Sequence, residues 1–218
     1  MKSYAEQNGG VLPAEDQKGP DTWQNLGRPE AKNVWYNALP RTLGRKSAAD
    51  FSSSPSAFYT TENVLFVPGA DYPQGKKLRD PLFAIAMNSK LQRKDAAGKE
   101  SPTKLADITQ AARTVVLLER GLPGEPTIPS QHKKDFDGSP KGSAKAFVGR
   151  YSGEGVLGFA DGHAEPVQAK ELLTETGDIP MPQSDVVWTR TPEENPNKAD
   201  GGSSGKKANG PAKPGAEQ

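Results

Sequence analysis

Residues 146–167, AFVGRYSGEGVLGFADGHAEPV, decide how this chain folds. Two β-prone runs, Val156–Ala160 and His163–Val167, flank the dipeptide Asp161-Gly162. An Asp-Gly pair between such runs is a strong hairpin signal, and the spacing predicts a type I′ turn with positive φ at both central residues. A third run, Ala146–Tyr151, enters through the turn residues Ser152-Gly153-Glu154-Gly155. The stretch therefore predicts a three-stranded meander ending in a tight hairpin.

Working outward, Thr114–Glu119 (TVVLLE) is crowded with β-branched and aliphatic residues and predicts a buried strand. Asn63–Pro68 (NVLFVP) predicts another strand, and Pro81–Met87 (PLFAIAM) a strand or, alternatively, a helical turn. In residues 30–44 the spacing places Val34, Trp35, Leu39 and Leu43 near one helical face, with Pro40 ending one short helix or starting another. Leu105–Ala112 and Gln168–Thr174 predict short helical turns, the latter packing Leu172 and Leu173 inward, and Asp178–Thr189 reads as extended. Leu91–Lys104 is charged and exposed, Gly75–Arg79 forms a basic loop, and Gly121–Ser143 is a long Gly/Pro/Lys-rich excursion of the kind that carries function or moves.

Few strands, few helices and long loops place the chain in the α+β class, with a mainly antiparallel sheet. Of its 218 residues 33% are hydrophobic, and Gly (23) and Pro (20) are abundant, which favours one modest domain over two. Val, Ile, Leu, Met, Phe, Tyr and Trp do not occur after Trp188. The organisation expected is a globular domain over 1–191 and a disordered Gly/Pro/Lys-rich tail over 192–218, because the tail has too little apolar surface to offset its ordering entropy. A net charge of +1 gives no global field for nucleic acid or acidic lipid, so no nucleic-acid partner is expected. With no cysteine, disulfides and thiolate metal sites are excluded. No run approaches the ~20 apolar residues of a membrane helix.

Nine residues separate Tyr151 from Asp161, and His163-Ala164-Glu165 follow. This phrase resembles the C-terminal signature of the prepilin-like proteins of planctomycete and verrucomicrobial bacteria, which reads His, nine residues, Asp-Gly, with Tyr151 here in place of the His. Other phrases resemble the same family in order over roughly residues 2–175. They are Tyr4-Ala5 through Asn8, Gly10 and Pro13, then Trp35–Leu39, Leu65–Pro68 (without the family's Cys), Ala84–Asn88 and Thr114–Glu119. The resemblance implies a pilin-like head that lacks its hydrophobic N-terminal helix, with Met1 an added start on a truncated domain or, alternatively, a natural variant without an anchor. It implies a non-enzymatic subunit, a pseudopilin or minor pilin, of a type II secretion-like or type IV pilus-like filament. Its expected partners are other pilin-like subunits and the secretion or pilus assembly machinery. Its location would be extracytoplasmic, in periplasm or at the cell surface, and membrane contact would come only through the missing helix. The family-motif residues carried over are Tyr151, Asp161 and Gly162.

The candidate chemistry is sparse. His132 lies among cations in Gln131-His132-Lys133-Lys134 and His163 leaves the tight turn, so both read as structural or surface residues. No Gly-x-Ser-x-Gly elbow set between a strand run and a helix run, and no phosphate-cradling glycine loop followed by a helix, is present. No catalytic or cofactor-binding residue is therefore expected. Asp135-Phe136-Asp137-Gly138-Ser139 resembles the opening of a calcium loop, although Ala146 stands at the twelfth position, where a bidentate Glu is needed. Oxygens of Asp135, Asp137 and Asp161 are the candidate calcium ligands, the alternative being a solvated acidic turn. Tyr151 has two readings: a hydroxyl bond toward the Asp161 region or a neighbouring subunit, or an ordinary cross-strand aromatic. Trp23, Trp35 and Trp188 read as packing residues or as a carbohydrate platform. A glycan- or ligand-binding module using the loops at 69–80 and 121–143 is the alternative to the filament subunit.

Overall fold

The aliphatic run ahead of Arg120 becomes the central strand of a five-stranded mixed sheet. A computed structural model describes residues 1–16, 19, 22–74, 80–94 and 100–198. The strands are β1 (Ile85–Asn88), β2 (Arg93–Lys94), β3 (Glu100–Ser101), β4 (Val115–Glu119), β5 (Lys141–Gly142), β6 (Glu154–Phe159) and β7 (Ala164–Gln168). The main sheet runs β5-β1-β4-β6-β7, with β1, β4, β6 and β7 antiparallel in turn and β5 parallel to β1; β2 and β3 pair separately. With α1 (Lys2–Gln7), α2 (Trp35–Thr42) and α3 (Pro55–Phe58), this is an α+β fold with few short helices.

Each face of the sheet carries a core. Met87 and Val116 face an N-terminal layer of Trp35, Tyr36, Phe51, Phe58 and Phe83, in which Tyr36 stacks on Phe83 with ring centroids 5.0 Å apart. Val115, Leu118, Leu157 and Phe159 face Leu172, Leu173, Ile179 and Trp188, supplied by the chain after β7. Strand side chains normally alternate between faces. In β4, however, Val116 and Leu117 both pack against the N-terminal layer, while Val115 and Leu118 share the other core. A register shift between Val115 and Leu117 against β6 accounts for the change of parity. Asn88, fully buried, ties the layers together by donating to the carbonyls of Val115 and Trp188, both at 2.8 Å. All three tryptophans are buried, so they build the core and form no exposed platform.

The hairpin β6–β7 is where the sequence predicts it, but its turn differs. The Gly162 amide bonds the Phe159 carbonyl and the Phe159 amide bonds the His163 carbonyl, giving a three-residue loop. Gly162 alone has positive φ (+102°), and Asp161 does not. The Ala160 and Asp161 amides instead donate to the Thr114 and Ala111 carbonyls, and these bonds hold the loop against the start of β4. Gly162 thus takes the bulge position of a three-residue hairpin loop rather than one half of a type I′ turn.

The first run of the expected meander is not a strand. Residues 144–146 form a 3-10 turn, and Phe147 and Tyr151 make single bridges to Arg120 and Glu154. The segment crosses over the start of β6, so close that a Cβ on Gly155 would lie 2.1 Å from the Val148 carbonyl oxygen. Asn63–Pro68 is also not a strand. The Asn63 side chain donates to the Phe58 carbonyl at 2.9 Å and accepts the Leu65 amide at 3.0 Å, which closes turns in place of a ladder. Pro81–Met87 becomes strand only from Ile85. Pro40 lies inside α2, near its end, and Leu43 is exposed rather than on the buried face.

Order continues past residue 191. Gln183 donates to the Pro192 and Glu194 carbonyls, and the Asn197 amide group pairs with both the N–H and the C=O of Ile179, each at 2.8 Å. Polar side chains hold this stretch where apolar ones are lacking. The rest of the expected tail, 199–218, and the expected basic loop 75–79 lie outside the described residues.

Candidate functional site: a buried arginine–glutamate centre beneath Tyr151

At the C-terminal end of β4 the chain carries Glu119 and Arg120, and the crossing segment brings Arg150 and Tyr151 over them. Arg150 binds Glu125 through two parallel bonds, Nε to Oε1 at 2.7 Å and Nη2 to Oε2 at 2.8 Å. Its Nη2 also donates to the Arg120 carbonyl at 2.5 Å. Glu125 further accepts the Leu122 amide at 2.7 Å and the Asp71 amide at 3.1 Å. One carboxylate therefore joins the loop after β4 to the loop at 67–72. The loops expected at 69–80 and 121–143 do meet, at their Asp71 and Glu125 ends.

Glu119 is the second carboxyl of the centre. Its Oε2 accepts the Val156 amide at 3.2 Å, in place of the ladder bond that its own carbonyl gives up to Val148. Its Oε1 lies 3.5 Å from the Tyr151 hydroxyl. Burial raises the Glu119 carboxyl above the usual carboxylate range, against the opposing pull of Arg150. Among the described residues the buried Arg150 Nη1 has no hydrogen-bond partner, and Arg150 forms its ion pair with Glu125 rather than Glu119. Tyr72, from the 67–72 loop, is pushed up to about 12, chiefly by burial, and its hydroxyl accepts the Val67 amide at 2.9 Å.

Tyr151 closes the centre from outside. Its ring is partly exposed, and its hydroxyl donates to the Pro68 carbonyl at 2.8 Å. The expected bond toward Asp161 is not formed. The whole of β6 separates the two residues, and at ~3.3 Å per residue its length puts them about 20 Å apart. Tyr151 is the strut of a loop, which neither of its two sequence readings anticipates.

The three aspartates offered for calcium do not converge. Asp137 pairs with the buried Arg120 guanidinium, and Asp135 gives Arg120 its main-chain carbonyl. Asp161 sits at the other end of β4, where its carboxylate binds the ring and amide of His163; that pairing holds its pKa below the usual range. Among the described residues no group of three or more His, Cys, Asp or Glu is placed to hold a metal ion. His163 stacks on Phe159 with ring centroids 4.4 Å apart, and His132 is exposed at the start of a 3-10 turn, so the two histidines do not form a site.

Glu119, Arg120, Glu125 and Arg150 were not singled out by the sequence. The available signal is two charged residues directly after an aliphatic strand, and an arginine between Gly149 and Tyr151. The centre holds loops in place through its charged partners and the Tyr151 strut. Comparison of the chain with known protein families, with characterised proteins and with solved structures found no match.

Proposed function

We propose that this domain is the head of a pilin-like filament subunit, a pseudopilin or minor pilin, whose work is packing rather than turnover. One observation carries this reading: most of the family-like phrases, though not Leu65–Pro68, fall in order on the elements that build the domain. Tyr4 and Ala5 lie buried in α1, Trp35–Leu39 in α2, Met87-Asn88 in β1, Val115–Glu119 in β4, and Asp161-Gly162 in the hairpin β6–β7. An N-terminal helix packed with α2 into the layer covering one sheet face suits a head carried on a longer helix. Burial of apolar surface along such helices drives a filament core. Among the described residues no helix is long and apolar enough to cross a membrane.

The partners under this reading are other pilin-like subunits and their assembly machinery, outside the cytoplasm. The Arg150–Glu125 centre and the Tyr151 strut would fix the 67–72 loop as part of a packing surface. Immunogold labelling of the producing cells with antibody to this chain tests the reading. Labelled surface or periplasm-spanning filaments are expected, whereas label dispersed over cells that carry unlabelled filaments would overturn it.

A further inference from the structure

A cavity of about 410 Å³ opens between α1, the Val11–Ala14 segment, the end of β1 and Thr103. We infer that it binds a small, uncharged, mostly apolar molecule that carries one hydrogen-bond acceptor. Its volume falls within the ~300–1,000 Å³ of small-molecule sites, and such sites combine apolar walls with a few placed polar groups. Here the walls are Val11, Leu12, Pro13, Met87, Leu91 and Pro102, and none of the described residues that line the cavity is charged. A charged ligand would lose its hydration without a counter-charge.

The polar groups indicate how the molecule would be oriented. The Asn8 amide donates to the Tyr4 carbonyl at 2.7 Å, and the Thr103 hydroxyl donates to the Leu91 carbonyl at 2.5 Å. Both are engaged within the protein. Tyr4 borders the cavity and is only 8% exposed, yet its hydroxyl has no hydrogen-bond partner among the described residues. A hydroxyl that no protein group engages is left to address whatever fills the cavity. Burial raises the phenol further above neutral pH, which keeps it a donor. This inference does not depend on the filament reading, since the cavity lies wholly within the described domain.

Acetophenone, an aromatic ring with one carbonyl acceptor, is a suitable probe, titrated into the full chain and followed by two-dimensional amide NMR. Saturable shifts centred on Leu12, Met87 and Leu91 are expected. Tyr4→Phe should weaken binding about fivefold, the scale of one neutral hydrogen bond. Val11→Trp, which puts a much larger side chain on the cavity wall, should abolish the shifts, and benzoate should bind at least tenfold more weakly than acetophenone. No saturation by the wild-type chain, shifts centred elsewhere, equal affinity of Tyr4→Phe, or tighter binding of benzoate would each overturn the assignment.

Discussion

The Arg150 guanidinium and the Glu125 carboxylate face each other edge to edge, with side chains 4% and 5% exposed. Bonds at 2.7 and 2.8 Å fix the pair, and Glu125 spends its remaining capacity on the amides of Leu122 and Asp71. Removing one member of a buried pair strands the other without compensation, which costs about 3–5 kcal/mol. Arg150→Met should therefore destabilise the domain by that amount in urea unfolding. Adding Glu125→Leu to it should recover part of the loss, because the stranded charge is then gone. Additive losses in the double variant would contradict the pairing.

Tyr151 should matter locally more than globally. Tyr151→Phe removes the bond to the Pro68 carbonyl and leaves the ring, so the expected loss is about 0.5–1.5 kcal/mol. Amide exchange should accelerate in residues 67–72 and stay unchanged in β4 and β6. Uniform acceleration across the sheet would mean that the hydroxyl is not a loop strut.

Glu119 gives stability a pH dependence of defined sign. Its folded pKa is raised by burial above the ordinary 4.5. Stability from this group is thus full below about pH 4.5 and is lost as pH rises through the higher folded value. Asp50 has the opposite sign: the Ser47 hydroxyl and amide hold its carboxyl low, so its contribution is lost only as pH falls below the ordinary aspartate range. The two windows separate. Between pH 5 and 8, Glu119→Gln should flatten the urea-midpoint profile and exceed the wild type at the alkaline end. Parallel profiles for the two proteins would exclude Glu119 as the source.

Calcium should leave thermal unfolding unchanged. Asp137 is already neutralised by Arg120, and Asp161 binds His163 at the far end of β4. Coincident melts with calcium and with a chelator are expected, and a rise of several degrees would require ligands other than these three together.

The central strand and the last hairpin were legible in the sequence because their signals are local. Val115-Val116 need a pleated, buried surface, and Gly162 accepts the positive φ that closes the loop. Asn63–Pro68 misled because an asparagine side chain can satisfy the backbone bonds that a neighbouring strand would take. The run at 146–151 misled for a tertiary reason: its β-prone residues cross β6 at Gly155 instead of pairing along it. The arginine–glutamate centre was illegible because its partners lie 25 residues apart and burial, which no local pattern encodes, gives them their weight.

The filament reading is tested most directly by sequencing the N-terminus of the mature protein isolated from its own cells, beside the codons that precede Met1. The account predicts a chain that starts upstream of Met1, cleaved from a short basic leader, with Phe-Thr-Leu-(Val/Ile)-Glu opening an apolar helix that runs into Lys2–Gln7. A mature chain that begins at a conventional signal-peptide cleavage site, or at Met1 with no such helix encoded before it, would contradict it.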